Sequence, residues 1–362
     1  MASPDPLPSL AVTAAALAPF TAITVVGPTG AVGREVLDLL LRAGVPASRI
    51  RCIGPERGVG TQVPYGAAQL GLEPLRASAF ARGGLALLCA DADTARSCRD
   101  LARGSGCLLV DNSAAFRTDP NVPLVVPEVN GREFDLAHCE LACNPNCSTI
   151  LLLVALQPLR AAFGIEEVVV ATYQAVSGAG AAGIEELFGE TRSALAGAAP
   201  APRVFPEPCA FNVWSHESPI DPATGLNGEE AKLVAESRRI WRDPDLRVSP
   251  TCMRVPVVSA HTEAVRVTLR TAAHEAEVRA ALAAAAGIRV VDDRAHNDFP
   301  TPRKAMACDE VLVGRIRRDP CSPVAVDGAS RTWSLVLSGD QLRKGAALNA
   351  LQVAVLAAAA RR

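Results

Sequence analysis

Residues 22–42 read AITVVGPTGAVGREVLDLLLR, and this stretch decides the fold. It opens with a short apolar, β-branched run, Ile23 to Val26, which predicts a buried strand. The glycine-rich turn GPTGAVG follows at residues 27–33. Beyond the turn, apolar side chains such as Val36 and Leu40 recur at helical spacing and predict a helix. Strand, turn and helix in this order form the first half of a βαβ unit.

Three further apolar runs predict strands of the same sheet: IRCIG at 50–54, LALLCA at 85–90 and CLLVDNS at 107–113. Glycine-rich, polar or helix-compatible segments separate them. Continuous apolar strands that alternate with helices are typical of a parallel sheet covered on both faces. We therefore expect an α/β domain of the doubly wound type over residues 21–145.

The strand pattern changes near Asn146. β-Branched runs with polar alternation follow: VVVATYQAVSG at 168–178, RVPVVSAHTEAVRVTL at 254–269 and TWSLVLSG at 332–339. This alternation is typical of an antiparallel sheet with one covered face. It predicts a second, α+β domain over residues 146–339.

Three segments lie outside these sheets. Residues 181–228 are rich in Pro, Gly and Ala, which predicts a loop-rich excursion. Residues 340–362 favour a helix, and we expect them to pack back on the first domain. Residues 1–20 contain no Lys or Arg, which argues against a signal peptide and predicts a loose leader.

Composition argues against several classes of protein. The 362-residue chain has 36 Lys+Arg, 38 Asp+Glu and 49% hydrophobic residues, so a disordered chain and a nucleic-acid-binding surface are not expected. No apolar run is long enough to span a membrane. The 11 cysteines include no C-x-x-C pair, so we expect neither a disulfide framework nor a metal site. Reduced thiols fit a soluble, cytoplasmic enzyme.

The glycine turn predicts a dinucleotide-binding site. Its glycines allow a pyrophosphate to approach the backbone N–H groups at the start of the helix. The candidate cofactor-binding residues of the turn are Gly27, Thr29, Gly30, Ala31, Val32 and Gly33. The spacing G-x-x-G-x-x-G differs from the G-x-G-x-x-G fingerprint, so a glycine-rich turn without a ligand is the alternative.

The stretch after the second predicted strand, IGPERGVGT at 53–61, bears on the choice of cofactor. An acidic residue there usually binds the ribose hydroxyls of NAD, whereas arginine suits the 2′-phosphate of NADP. Arg57 therefore favours NADP, while Glu56 leaves NAD open. A solvated Glu–Arg pair without a cofactor contact is the competing interpretation.

Cys147 differs in its setting from the other cysteines. It lies in CNPNCST, directly before the apolar run TILLLVALQPLR, and Asn146 suits the position before a helix. At a helix N-terminus the positive end of the helix dipole favours the thiolate, and backbone N–H groups could hold an oxyanion. Such a thiolate can attack an acyl phosphate and form a thioester, which accepts hydride more readily than a carboxylate.

This chemistry also needs a proton donor, and histidine is the natural choice. Of the five histidines, His261 follows the strand-like RVPVV and lies seven residues after Arg254. A histidine of this kind is also common as a structural residue, so the sequence pattern alone leaves its role open.

Five motifs together resemble aspartate-β-semialdehyde dehydrogenases: NPNCST, TYQAVSGAG, GEEAKLVAESRRIW, RVPVVSAHTEAV and RKGAALNALQ. The resemblance runs from about Ile23 to the C-terminal helix. It implies a Rossmann-type dinucleotide-binding domain, a mixed α+β catalytic and dimerisation domain, and a homodimer or tetramer. The implied reaction reduces L-aspartyl-4-phosphate to L-aspartate-4-semialdehyde with NADPH and releases phosphate, toward lysine, threonine and methionine.

The resemblance also implies residue roles. Cys147 matches the nucleophile, His261 the acid/base, and Gln174 the residue that positions the acyl intermediate. The implied substrate-binding residues are Arg254 for the carboxylate, Glu229 for the amino group, Lys232 and Arg117 for the phosphate, and Asn146 beside the nucleophile. Ser177 and Gly178 match a loop that approaches the nicotinamide. Without the resemblance, an ordinary surface ion pair would be the favoured interpretation of Glu229 and Lys232.

One stretch departs from the family. After the second strand the family usually resembles S-x-R-S-A-G-K, and this chain has P-E-R-G-V-G-T, so its preference for NADP is in doubt. Two other functions stay open. A reductase of another acyl phosphate, such as N-acetylglutamyl phosphate, usually has N-P-G-C where this chain has Asn146 before Cys147. A non-catalytic, dinucleotide-binding paralogue would be expected to lack one of the four residues Cys147, Gln174, Arg254 and His261.

Overall fold

The computed structural model describes residues 10–323 and 325–361. Within them the chain divides into two compact units. The N-terminal unit comprises residues 10–145 and 346–361, and the C-terminal unit comprises the described residues of 146–345. The sequence predicted that residues 340–362 would all pack on the first domain, but residues 340–345 belong to the C-terminal unit. They follow directly from the last strand of its sheet.

The N-terminal unit contains one seven-stranded sheet. Numbered along the chain, its strands are β1 Ile23–Val26, β2 Ile50–Gly54, β3 Gln62–Tyr65, β4 Ala68–Pro74, β5 Leu85–Leu88, β6 Leu108–Asp111 and β7 Leu141–Cys143. Its helices are α1 Ala31–Arg42, α2 Ala92–Ala102, α3 Pro127–Asn130 and α9 Leu348–Ala360. The strand order is β3-β4-β2-β1-β5-β6-β7, and only β3 pairs antiparallel.

The order of the strands reverses beside β1. The chain moves outward from β1 through β2 on one side and through β5 on the other. Ligands of such doubly wound sheets bind at the carboxyl ends of the strands where the order reverses. The turn at 27–33 starts at the carboxyl end of β1, so the fold confirms both the Rossmann-type architecture and the position of the glycine turn within it.

The leader is partly packed. The sequence predicted that residues 1–20 are loose, but Leu17 and Phe20 are at most 1% exposed in the core of the N-terminal unit. The Arg49 guanidinium donates to the carbonyl oxygens of Leu17 and Phe20, at 3.0 and 2.5 Å. The burial of these two large apolar side chains stabilises the segment, although it forms no regular secondary structure. Residues 1–9 lie outside the described residues.

The C-terminal unit contains a second seven-stranded sheet, ordered β12-β13-β14-β11-β8-β10-β9. Its strands are β8 Ile165–Gln174, β9 Trp214–Ser215, β10 Arg247–Arg254, β11 His261–Ala273, β12 Ile288–Val290, β13 Val311–Arg318 and β14 Ser330–Gly339. The pairs β8–β10 and β12–β13 are parallel and the others are antiparallel. The sheet is therefore mixed, whereas the polar alternation predicted an antiparallel sheet. β11 is antiparallel to both β8 and β14, as predicted, but β8 is parallel to β10.

Helices of the C-terminal unit are α4 Cys147–Phe163, α5 Gly180–Leu195, α6 Gly228–Ile240, α7 Glu275–Ala283 and α8 Pro302–Ala305. The prediction of a loop-rich excursion over 181–228 is wrong for its first part, which forms α5. Ile184 and Leu187 of α5 pack with Phe205 and Trp214, and this apolar contact stabilises the helix despite its glycines. No helix in the described part of the chain is long and apolar enough to cross a membrane.

Candidate active site

The glycine turn has the geometry of a phosphate-binding turn. Gly27 has a φ of +79°, which favours glycine. A Cβ atom at Gly33 would lie 2.1 Å from the carbonyl oxygen of Gly27, so only glycine lets α1 pack this closely on the turn. Gly30 caps α1 without a side chain. The N-cap residue therefore places no side chain against the first N–H groups of α1, where an anion would bind.

The other predicted residues of the N-terminal unit lie on loops. Arg57 is exposed in a short turn, residues 56–58, that follows β2. Glu56 is also exposed and lies 4.0 Å from Arg76 in a loose ion pair. Arg117 follows β6 and donates through Nη2 to the carbonyl oxygen of Asn112 at 2.8 Å. These contacts leave the choice between NADP and NAD as open as the sequence did.

In the C-terminal unit, three neighbouring strands bring three predicted residues together. β8 lies between β10 and β11. Gln174 of β8 pairs with Arg254 of β10, and Tyr173 pairs with Thr262 of β11. His261, the first residue of β11, therefore lies beside Gln174, the last residue of β8, where these neighbouring strands meet at one end of the sheet. Residues 80 positions apart in sequence thus form one cluster because of the strand register.

His261 is held as a neutral hydrogen-bond donor. The backbone N–H of Ala175 donates to its Nδ1 at 3.0 Å, so the neutral ring carries its proton on Nε2. Nε2 is buried and has no hydrogen-bond partner among the described residues. Burial lowers the pKa of His261 to about 3, and the charge of Arg254 adds to this effect. The ring can therefore donate a hydrogen bond from Nε2 to a bound ligand.

Arg254 contacts the backbone of the same residue, Ala175. Its Nη1 donates to the carbonyl oxygen of Ala175 at 3.0 Å, and the residue is only 2% exposed. The guanidinium carbon lies 5.5 Å from the ring centre of Phe205. Its other polar contacts are with His216 and Glu217, which the sequence patterns did not indicate.

The predicted nicotinamide loop reaches both of these side chains. A Cβ atom at Gly178 would lie 3.0 Å from Nη1 of Arg254 and 3.7 Å from Nε2 of His261. Gln341 holds the loop, because its side chain accepts from the N–H of Ala260 at 2.8 Å and donates to Oγ of Ser177. Sequence reasoning missed Gln341, since no local pattern connects it to residues 177 and 260.

Cys147 is the first residue of α4, as the sequence predicts. The N-cap is Asn146, whose side-chain oxygen accepts from the N–H groups of Ser148 and Thr149 at 3.0 and 3.3 Å. These two N–H groups are thereby engaged, so they do not provide the oxyanion contact that the sequence suggested. A Cβ atom at Gly345 would lie 3.0 Å from Cβ of Cys147, so glycine at 345 leaves room beside the cysteine.

A buried charge network surrounds the start of α4. Nδ2 of Asn146 donates to Oε1 of Glu229 at 2.6 Å, and Nζ of Lys232 donates to Oε2 at 2.9 Å. The backbone N–H of Asn146 donates to Glu236 at 2.6 Å. Burial raises the pKa of Glu229, but the charges of Lys232 and His216 and the hydrogen bonds from Lys232 and Asn146 together lower it to about 2. Glu229 is therefore ionised at neutral pH.

Glu236 was missed by sequence reasoning, although a signal was present. Glu229, Lys232 and Glu236 follow the spacing i, i+3, i+7 and so share one face of α6. The negative charge of Glu229 also opposes the lowering of the His261 pKa. The Asn146 network and the His261 cluster are therefore electrostatically coupled within this unit.

Burial distinguishes most other cysteines from Cys147. All eleven cysteines are among the described residues, and none forms a disulfide. Burial raises the thiol pKa to about 11 at Cys52. It raises the pKa to about 12 at Cys89, Cys98, Cys107, Cys209 and Cys252. These thiols stay protonated at neutral pH, and none of them is the first residue of a helix, as Cys147 is.

Comparison with known proteins identifies the family of each unit. Residues 22–137 match the family described as semialdehyde dehydrogenase, NAD binding domain, and residues 156–344 match semialdehyde dehydrogenase, dimerisation domain. The first match shows that the N-terminal unit carries a domain that binds a nicotinamide dinucleotide. The second shows that the C-terminal unit carries a domain that assembles copies of the chain.

Relatives that align over more than nine tenths of the chain are aspartate-semialdehyde dehydrogenases. An aspartate-semialdehyde dehydrogenase of Synechocystis sp. is 41% identical over 334 residues, which cover 92% of this chain and 96% of the relative. The enzyme of Mycolicibacterium smegmatis is 39% identical, with 93% and 99% covered. The crystal structure of aspartate semialdehyde dehydrogenase II from Vibrio cholerae, complexed with ASA, superposes with a TM-score of 0.85 at 35% identity and covers 93% of this chain and 98% of that one. The chain belongs to the aspartate-semialdehyde dehydrogenase family.

Proposed function

We propose that the chain reduces L-aspartyl-4-phosphate to L-aspartate-4-semialdehyde with a nicotinamide dinucleotide and releases phosphate. The observation that carries the proposal is the placement of Cys147 at the start of α4, in the same unit as a buried His261 whose Nε2 points to no partner among the described residues. A nucleophile and a hydrogen-bond donor are what acyl transfer requires.

The first step forms a thioester. The Cys147 thiolate attacks the acyl carbon of aspartyl phosphate, a C–S bond forms, and the C–O bond to phosphate breaks with phosphate leaving. A nicotinamide dinucleotide held by the glycine turn of residues 27–33 would supply the hydride that reduces the thioester carbonyl. The resulting oxyanion receives a hydrogen bond from Nε2 of His261, and the carbonyl reforms as the C–S bond breaks, which returns the thiolate and the aldehyde.

Charged side chains hold the two ends of the substrate. Arg254 binds its carboxylate, because a planar guanidinium suits a carboxylate. Glu229 is ionised and binds the substrate ammonium, while Lys232 and Arg117 bind the phosphate. Gln174 lies beside His261 in the register of the sheet and positions the acyl group.

The cofactor and the assembly are part of the same proposal. Arg57 supports NADP as the preferred cofactor, with NAD as the alternative because Glu56 precedes it. The match to a dimerisation domain supports a homodimer. Eleven cysteines without a disulfide support a reducing, cytoplasmic setting.

An assay in the oxidative direction tests the reaction. We expect aspartate semialdehyde to reduce NADP+ with continuous turnover only when phosphate is present. With N-acetylglutamate semialdehyde, kcat/KM should be lower by about 100-fold or more, because acetylation removes the ammonium that Glu229 binds and adds a bulky group at that position. Comparing both substrates with NADP+ and NAD+ also settles the cofactor preference.

Two results would contradict the proposal. Faster oxidation of N-acetylglutamate semialdehyde would assign the chain to the other acyl phosphate. Tight dinucleotide binding without oxidation of either aldehyde would point to the non-catalytic paralogue.

A further inference from the structure

Glu217 occupies the side of the Arg254 guanidinium that a carboxylate ligand needs. Nε of Arg254 donates to Oε2 of Glu217 at 3.2 Å, and Nη2 donates to Oε1 in a short ion pair. Two parallel N–H donors facing two carboxylate oxygens form the bidentate arrangement of an Arg–carboxylate complex. Glu217 therefore makes the contact that the proposed function assigns to the substrate.

The rest of the guanidinium is also engaged. Nη1 donates to the carbonyl oxygen of Ala175 at 3.0 Å, and Nη2 lies 3.0 Å from Nε2 of His216. Each of the three nitrogens of Arg254 thus has an acceptor within the protein. Ala175 and His216 thus lie against the two Nη nitrogens, so a substrate carboxylate that binds two donors of Arg254 has to replace an existing partner.

Glu217 is the partner that can leave. The carbonyl of Ala175 is fixed because the N–H of Val176, which belongs to the same peptide unit, donates to the carbonyl oxygen of Val257 at 2.9 Å. Glu217 follows the two-residue strand β9, belongs to a segment without regular structure, and has a side chain that is 23% exposed, against 2% for Arg254. Rotation about its side-chain bonds moves the carboxylate into solvent, where its charge is well hydrated.

We infer that Glu217 is an internal competitor for the substrate carboxylate at Arg254 and thereby a specificity-determining residue; this inference rests on the proposed function. In the absence of substrate, Glu217 pairs the buried charge of Arg254, which would otherwise be costly. Only a ligand with its own carboxylate replaces Glu217 without leaving Arg254 unpaired. An aldehyde that lacks the carboxylate leaves the ion pair intact and loses this contact.

Replacing Glu217 with glutamine tests the inference in the complete enzyme. Glu217→Gln keeps the size of the side chain but removes the charge that competes with the substrate, so KM for aspartate semialdehyde should fall about tenfold with little change in kcat. KM for 3-aminopropanal, which is aspartate semialdehyde without its carboxylate, should stay within about twofold of the parent value because it does not compete for Arg254.

A matched control uses Glu207, which is exposed in the preceding loop. Glu207→Gln removes the same charge from the same region and should leave both KM values unchanged. If Glu217→Gln does not fold, as a thermal melting curve would reveal, Glu217→Asp replaces it: the shorter side chain keeps the charge but weakens the bidentate contact, and KM should fall about threefold.

The two proposals fail differently. An unchanged or raised KM for aspartate semialdehyde in Glu217→Gln or Glu217→Asp would overturn the inference, because Glu217 would then only orient Arg254. An equal fall for 3-aminopropanal would overturn it as well. The proposed function is tested separately on the parent enzyme. If that function is wrong, the parent enzyme will show no phosphate-dependent oxidation of aspartate semialdehyde.

Discussion

Replacing Cys147 with serine is expected to lower kcat by about 10⁴-fold or more, while dinucleotide binding stays within about twofold. Serine preserves the shape of the residue and the start of α4. Its hydroxyl is a far weaker nucleophile than a thiolate, and the positive end of the helix cannot ionise it at neutral pH. Steady-state kinetics and a fluorescence titration with the reduced cofactor measure the two effects separately.

The exposed Cys321 provides the matched control. Cys321→Ser should leave kcat unchanged, because this thiol lies outside the proposed site. Treatment with a thiol reagent should inactivate the parent and Cys321→Ser equally, and substrate should protect both. A Cys147→Ser variant that retains a tenth or more of the parent activity would reject covalent catalysis at Cys147.

Replacing His261 with glutamine should lower kcat by about 10²- to 10⁴-fold, the usual size of a lost acid–base or electrophilic group. Glutamine carries an acceptor for the N–H of Ala175 and a donor on the other side of the amide. It can therefore keep the fold of the site while replacing an imidazole with a weaker, non-titrating donor. His261→Gln and His261→Ala should both bind the cofactor normally, with the alanine variant slower.

The exposed His296 supplies the comparison for this substitution. His296→Gln should not alter kcat. A His261→Gln variant with less than about a tenfold loss would remove His261 from the reaction. The pH profile adds a second readout: because the pKa of His261 is lowered to about 3, its ring stays neutral above pH 5, and activity should not require an imidazolium that is lost between pH 6 and 7.

Local sequence patterns predicted the framework of the N-terminal unit well. The run IRCIG corresponds to β2, Ile50–Gly54, and the helix after the glycine turn is α1, Ala31–Arg42. Continuous apolar runs, turn glycines and helical spacing are local signals, so they can be recognised in the sequence without knowledge of tertiary contacts. The same holds for Cys147 at the start of α4, which Asn146 marks as an N-cap.

Local patterns did not predict features that depend on distant contacts. α5 contains several glycines and owes its stability to packing against Phe205 and Trp214. The leader reads as irregular, yet Leu17 and Phe20 are buried. Glu217 and Gln341 join the site through side-chain contacts over 37 and 164 residues, and no spacing rule anticipates such pairs.

The central claim is that Cys147 carries the acyl group, and omission of phosphate tests it directly. Mixing the enzyme with aspartate semialdehyde and NADP+ in the absence of phosphate should form about one equivalent of reduced cofactor per active site and then stop, because the thioester has no acceptor. Mass spectrometry of the quenched protein should show one added aspartyl group on the peptide that contains Cys147. A burst that is absent, or an acyl group on another residue, would contradict the account.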